Sequence, residues 1–257
     1  MAKNSKNPEL KITGDGSHTL HSTRFDQDYH NANGAISESR HVFFEQNGLK
    51  QALAERDHIN ILEIGFGTGL NFLLLMDYHR ATKNAAAINY HSIEGYPISA
   101  DKATKLNYAD YLNYPPFARK LSPVFDQLKP GINSFSIVSG IKLSIFNGFF
   151  DDYEPGDLSF DFIFHDAFSP RANPELWQAS VFKRLLSWSD PRALLSTYCA
   201  ASKPRGAMAH AGWKVARASG ALGKREMTVA SPSTRQLDHL KRVNEERLAR
   251  RYEEDDF

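Results

Sequence analysis

One cysteine, Cys199, is present in 257 residues. An intramolecular disulfide and a cysteine-rich zinc site are both excluded, and the usage fits a reducing compartment, the cytoplasm. Long apolar runs are lacking as well. The longest are short, such as Leu73–Met76, against the roughly 18 residues that a membrane span needs. The opening Met1–Pro8 has a charge or two but no apolar segment behind it, so no secretory signal is expected. There is no internal repeat and no low-complexity tract. Hydrophobic residues at 41% and charged residues at 24% exclude a disordered chain. The length suits one large domain or two small ones, with room for a substantial core.

Charge of one sign is scarce overall, with 31 Lys and Arg against 30 Asp and Glu, yet it is unevenly spread. From Lys203 to Arg251, 12 Lys and Arg stand against four Asp and Glu. The last six residues then hold four carboxylates: Glu253, Glu254, Asp255 and Asp256. A basic stretch of this kind points either to an anionic partner or to a solvated face whose charges pair with each other. The polar, turn-rich first fifty residues carry His18, His21, His30 and His41. Their spacings match no metal-ligand pattern, so they read as loop histidines with ordinary hydrogen bonds, and no metal is expected.

Leu49–Arg56 reads as a short helix, and from Ile59 strands and helices alternate. Ile59–Ile64 is an apolar strand, Leu70–Arg80 a helix, Ala86–Ile93 a strand and Ile98–Asn107 a helix. Ser134–Val138 and Ile141–Phe146 form a hairpin about Ser139-Gly140. Phe160–Phe164 is a strand, and Glu175–Leu186 a helix with Asn173 as N-cap and Pro174 at its first position. Ala193–Cys199 is a strand, Pro204–Ala211 a helix, and Trp213–Ala216 and Met227–Ala230 close the sheet. Gln236–Arg251 reads as a polar, appended helix. The alternation predicts an α/β fold with a doubly wound, mostly parallel sheet covered on both faces.

Between the first strand and its helix lies Glu63-Ile64-Gly65-Phe66-Gly67-Thr68-Gly69. Glycines there let the backbone turn sharply and approach a ligand. A dinucleotide fingerprint needs its third glycine at position 70, which is Leu70, so a dehydrogenase is disfavoured. The spacing is instead that of Rossmann-like S-adenosylmethionine-dependent methyltransferases. Glu94 ends the second strand, 25 residues beyond Gly69, where such folds place the acid that bonds a ribose diol. Asp166-Ala167-Phe168-Ser169-Pro170 follows a buried strand. A carboxylate there suits amine methylation, holding the amine and accepting its proton, while Phe168 is placed to stack on a planar ring. Methylation at a ring carbon would need a nucleophilic cysteine, and Cys199, after an apolar strand, reads as core.

These residues carry a family resemblance. Phe25-Asp-Gln-Asp-Tyr29, Glu38-Ser-Arg-His-Val-Phe43, Gly65-Phe-Gly-Thr-Gly-Leu-Asn-Phe72, Asp166–Pro170 with Asn173-Pro174, Ala211-Gly212 and Gly223-Lys-Arg-Glu-Met227 resemble the methyltransferase domain of the bacterial MnmC tRNA wobble-uridine modification family. The form resembled is the stand-alone one, without a flavin-dependent oxidase. The resemblance implies a Rossmann-like methyltransferase with a small N-terminal extension and a β-hairpin insertion. It implies three regions: an extension (1–50) packed on the catalytic domain, the methyltransferase domain (51–230) and a helical tail (231–257). It further implies methylation of the amine of 5-aminomethyl-2-thiouridine at the tRNA wobble position, with S-adenosyl-L-methionine as donor. Glu63, Gly65, Phe66, Gly67, Thr68, Gly69, Asn71 and Glu94 would bind the donor. Asp166 would be catalytic, Phe168 would meet the substrate ring, and Lys224 and Arg225 would hold either the RNA, at the tRNA anticodon region, or the active-site loop. No second glycine fingerprint is present, so another enzyme would supply the aminomethyl uridine.

Two positions depart from the family pattern. Gly148-Phe149 stands where a Gly-Asp pair usually faces the adenine, with Asp151 and Asp152 further on, and Ala167 replaces a glycine. Methylation of another small-molecule or protein amine, and a non-catalytic donor- or RNA-binding relative, remain open on sequence alone.

Overall fold

A computed structural model describes residues 8–257; apart from Pro8, the stretch read for a secretory signal lies outside them. The chain opens with a small antiparallel sheet of β1 (Glu9–Ile12), β2 (His18–Ser22) and β3 (Gln27–Asp28). Helix α1 (Ala35–Arg40), a π-helical turn at His41–Glu45 and α2 (Leu49–Glu55) lead into β4 (His58–Ile64). There follow α3 (Leu70–Ala81), β5 (Ala87–Glu94), α4 (Ala100–Thr104), α5 (Leu121–Gln127), β6 (Gly131–Val138), β7 (Ile141–Asn147) and β8 (Phe160–His165). The last elements are α6 (Ala179–Ser187), β9 (Ser189–Thr197), α7 (Ser202–His210), β10 (Lys214–Ser219), β11 (Glu226–Ser231), β12 (Lys241–Arg242) and α8 (Glu245–Glu253).

Nine strands form one sheet in the order β12-β10-β11-β9-β8-β4-β5-β7-β6. Its centre, β9-β8-β4-β5-β7, is parallel, and antiparallel strands flank it on both sides. The chain winds from β4 outward through β5 to β7, then returns to β8 on the other side of β4. That reversal opens a crevice at the strands' C-terminal ends, the usual ligand site of such sheets.

The period of two along β4 explains why both faces are covered. Ile59 and Ile61 enter one core cluster, with Phe72 and Leu75 of α3 and with Phe43 and Phe44 before α2. Leu62 and Ile64 enter the other, with Phe182 of α6 and Trp213. Glu63 therefore points to the α3 side, a placement the site depends on. Leu70–Asp77 are all buried, which fits a helix enclosed between the sheet and the N-terminal segment.

The hairpin forms about Gly140 (φ +82°) as expected, and its second arm, β7, is itself a strand of the parallel centre. Three expected helices differ. The helix expected over Ile98–Asn107 narrows to α4, whose start is set by Ser99 accepting the Lys102 N–H; the Asn107 side chain instead accepts the His18 N–H at 2.7 Å. Over Glu175–Leu186, a 3-10 turn at Pro174–Trp177 precedes α6, and the Asn173 side chain does not cap it. The break follows from Trp177, whose indole N–H is committed to the Phe168 carbonyl at 2.8 Å, and from extended backbone at Gln178. Over Gln236–Arg251, a 3-10 turn at Thr234–Leu237, strand β12 and the start of α8 replace one helix; Asn244 caps α8 by accepting the Arg247 N–H.

Much of the basic excess is internally paired. Arg205 and Arg217 share Glu226 at 3.1 and 3.2 Å, and Arg242 pairs with Glu245. The acidic end folds back: Asp255 meets Lys203, Asp256 meets Arg251 at 3.0 Å and Glu253 meets His210 at 3.1 Å. No helix among the described residues is long and apolar enough to cross a membrane.

Candidate active site

Where β4 ends, Gly65, Gly67 and Gly69 all take positive φ (+92°, +54° and +77°), a region that costs other residues roughly 1–2 kcal/mol. Space is equally restrictive. A Cβ on Gly65 would stand 3.1 Å from the Asp166 carbonyl, and one on Gly67 would stand 3.3 Å from the Tyr29 ring. The turn is thus pressed between the loop after β8 and the N-terminal segment, and opens onto a cavity of about 260 Å³.

Glu94, at the end of β5, accepts the Gly67 N–H at 2.8 Å and the Tyr96 N–H at 2.7 Å. Burial raises its pKa. Glu63 lies behind the cavity wall with 1% of its surface exposed. It accepts Asn71 Nδ2–H at 2.9 Å and the Ser92 hydroxyl at 2.9 Å. The same Asn71 nitrogen donates to Asp166 Oδ2 at 2.9 Å, so one amide bridges two carboxylates. Burial pushes Glu63 up to about 7. Asp166 is held well above the ordinary carboxylate range, first by burial and then by the charges of Glu63 and Glu38. Asp166 therefore holds a proton far more readily than an exposed carboxylate, and a cation beside it in the cavity would favour its ionised form.

The loop bearing Asp166 is pinned from four directions. Asp166 N–H donates to Ile64 O at 3.1 Å, the Tyr198 hydroxyl to Ala167 O at 2.8 Å, and Trp177 to Phe168 O. Gln27 accepts both the N–H and the hydroxyl of Ser169. His165, just before it, donates Nε2–H to the Leu176 carbonyl at 2.9 Å. Such support fixes the position of the Asp166 carboxylate at the cavity wall.

Phe168 lines the cavity and stacks on Phe25 (centroids 4.5 Å apart), with Tyr29 edge-on at 5.0 Å. Tyr96 and Phe149, 41% and 54% exposed, rim the opening, and Arg24 lies 4.2 Å from the Tyr96 ring centre. Phe149 thus stands at the mouth, with Asp151 also lining it; Asp151 is 3.6 Å from Arg184.

Of the residues singled out from sequence, Gly65, Phe66, Gly67, Thr68, Asn71, Glu94, Asp166 and Phe168 surround this one cavity. Glu63 and Gly69 do not line it. Glu63 acts through Asn71, and Gly69 begins α3 against Leu121 and Phe66. Lys224 and Arg225 line a neighbouring depression with Ser169, Tyr198 and Arg217. Lys224 is tied to the buried Glu38 at 2.6 Å. Cys199 belongs to the core, and burial raises its thiol. The histidines have ordinary partners: His18 with Lys105 O, His21 with Asp28, His30 with Thr19 and His41 with Ser219 O. Phe25 and Tyr29 lie in a stretch that carried the resemblance, but no periodicity or spacing marks them, or His30 and Tyr96, as cavity residues. Their position depends on the small N-terminal sheet folding over the glycine turn.

Residues 128–233 match a family described as S-adenosyl-L-methionine-dependent methyltransferase. The chain has the fold of S-adenosyl-L-methionine-dependent methyltransferases and matches their family over that stretch. Among individual proteins, it is similar to the tRNA 5-methylaminomethyl-2-thiouridine biosynthesis bifunctional protein MnmC of Cupriavidus metallidurans, 33% identical over 223 residues. The match covers 85% of this chain and 33% of that one. The same-named protein of Aromatoleum aromaticum is 34% identical over 221 residues, covering 85% and 34%. This chain therefore spans about a third of the length of these relatives. The crystal structure of MnmC2 from Aquifex aeolicus superposes with a TM-score of 0.73 at 25% identity, covering 96% of this chain and 75% of that one.

The cavity suits the donor: a glycine turn where side chains would intrude, a buried acid at the end of β5, and an aromatic rim for a planar base.

Proposed function

We propose that this protein methylates the primary amine of 5-aminomethyl-2-thiouridine at the wobble position of tRNA, giving 5-methylaminomethyl-2-thiouridine. The observation that carries the reading is the Asp166–Asn71–Glu63 bridge at the cavity wall, an anionic seat for an amine beside the glycine turn. The named relatives point to the tRNA nucleoside, and Lys224, Arg225 and Arg217, in the depression beside the Asp166 loop, supply cations for an RNA backbone. In this reading Phe168 meets the uracil ring, the anticodon region is the part of tRNA engaged, and the reaction takes place in the cytoplasm. Production of the aminomethyl uridine is a separate reaction with its own catalytic unit.

When bound, the donor supplies an electrophilic methyl group on a sulfonium sulfur. Asp166 holds the substrate ammonium, accepts its proton and leaves the nitrogen lone pair aimed along the line of attack. Asn71 fixes the Asp166 oxygen by a hydrogen bond, and the aromatic lining excludes water from the nitrogen. The pinned loop keeps these groups in place without a metal or a covalent intermediate.

The test is methyl transfer to tRNA from cells lacking this gene, followed by nucleoside analysis. Appearance of 5-methylaminomethyl-2-thiouridine supports the proposal; donor binding without transfer to tRNA would redirect it to other amines. The rate is expected to rise with pH as Asp166, raised by burial, loses its proton, because only the carboxylate holds the ammonium and accepts its proton. In Glu63→Gln the rise should begin at lower pH, since a charge that raises Asp166 is gone. A pH–rate profile that is flat, or identical in the two proteins, would contradict this account.

A further inference from the structure

Among the described residues, no lysine or arginine lines the cavity, and His30 is its one basic side chain. The donor nonetheless carries an α-carboxylate that must be held by something. The order of strand ends says where. Asp166 ends the β8 side, the glycine turn follows β4, Glu94 ends β5, and Gly148 and Phe149 follow β7. A ribose on Glu94 sends its base toward Phe149, and the methyl must face Asp166. The wall left for the amino-acid arm is formed by Tyr29, His30 and Thr68 beside the first turn of α3, whose opening amides have no partner within the helix.

Hydrogen bonding around His30 accommodates the tautomer that carries its proton on Nε2. Thr19 Oγ1 accepts the His30 backbone N–H at 3.2 Å and lies 2.9 Å from Nδ1. While accepting the backbone N–H, the Thr19 hydroxyl is still able to give its own hydrogen to Nδ1, and the ring hydrogen then lies on Nε2. Nε2 faces Thr68 Oγ1 at 3.4 Å, longer than a well-formed N–H···O bond. Thr68 already has a closer partner in the Tyr108 hydroxyl at 2.9 Å. In that tautomer His30 presents a donor that the protein leaves under-used, at the cavity wall. Burial lowers its pKa to about 4, so the ring is neutral near pH 7.

We propose that His30 holds the amino-acid end of the methyl donor by donating Nε2–H to its α-carboxylate, and so selects donors that carry that group. The role rests on the donor reading of this cavity. A neutral N–H suits the place: a second cation near the sulfonium would oppose its binding, whereas an imidazole N–H adds no charge.

Isothermal titration of wild type, His30→Ala and His30→Gln with S-adenosylmethionine, S-adenosylhomocysteine and 5′-methylthioadenosine tests it. The third ligand keeps the nucleoside and sulfur but lacks the amino acid. His30→Ala should bind the first two about tenfold more weakly and 5′-methylthioadenosine within about twofold of wild type. His30→Gln, which keeps a side-chain N–H, should fall between. Unchanged affinity for the amino-acid ligands, or an equal loss for all three, would overturn the assignment. If the alanine variant binds none of them, the comparison is decided in His30→Gln: selective loss of the amino-acid ligands supports the role and uniform loss or no change overturns it. Failure of wild type to bind any of the three would overturn the donor reading itself.

Discussion

Asp166→Asn is expected to slow methyl transfer at least about a hundredfold while leaving donor affinity within about twofold. Asparagine has nearly the shape of aspartate, and its amide oxygen can still accept from Asn71 Nδ2–H. What it lacks is a charge to hold an ammonium and a basic oxygen to take the proton. The loss should therefore fall on single-turnover rate rather than on fold or donor binding, since Ile64, Gln27, Trp177 and Tyr198 hold the loop through groups other than the carboxylate. Rapid-quench transfer assays and titration of the donor in the same preparation separate the two. A variant that transfers at the wild-type rate would remove Asp166 from the chemistry.

Glu94→Ala should act on the other side of the division, weakening donor binding about a hundredfold. The carboxylate uses one oxygen for the Gly67 N–H and the other for the Tyr96 N–H, so it ties the glycine turn to the loop after β5 before any ligand arrives. Alanine leaves both amides unpaired and removes the group placed to bond the ribose. Glu94→Gln keeps one acceptor oxygen and should lose less. Equilibrium titration with S-adenosylhomocysteine checks both, and full affinity in Glu94→Ala would mean that the ribose is held elsewhere.

The parallel centre of the sheet was legible because β4, β5 and β8 are short apolar runs followed by turn or helix signals, and the glycine turn announced which edge binds a ligand. Helix boundaries were less so. Trp177 breaks the stretch after Pro174 by bonding to Phe168 O, a contact nine residues back in sequence that no propensity contains. Glu63 was read as a ligand to the donor because it sits in the motif. Its side-chain direction depends on the pleat of β4, which turns it toward Asn71 and away from the cavity. The missed wall of Phe25, Tyr29 and His30 is a tertiary feature. Those residues reach the site only because a sheet of three short strands packs against the turn.

The Lys224–Glu38 ion pair has a consequence for biosynthesis. Its partners are 186 positions apart, and the neighbouring bond from His41 to Ser219 O spans 178. On the ribosome, the segment that covers the cavity emerges well before the β10–β11 hairpin that clamps it. Contacts of such long separation form late and slowly. The donor cavity is thus completed only after the hairpin has emerged, and a nascent chain without the hairpin has no closed site in which to hold a methyl donor.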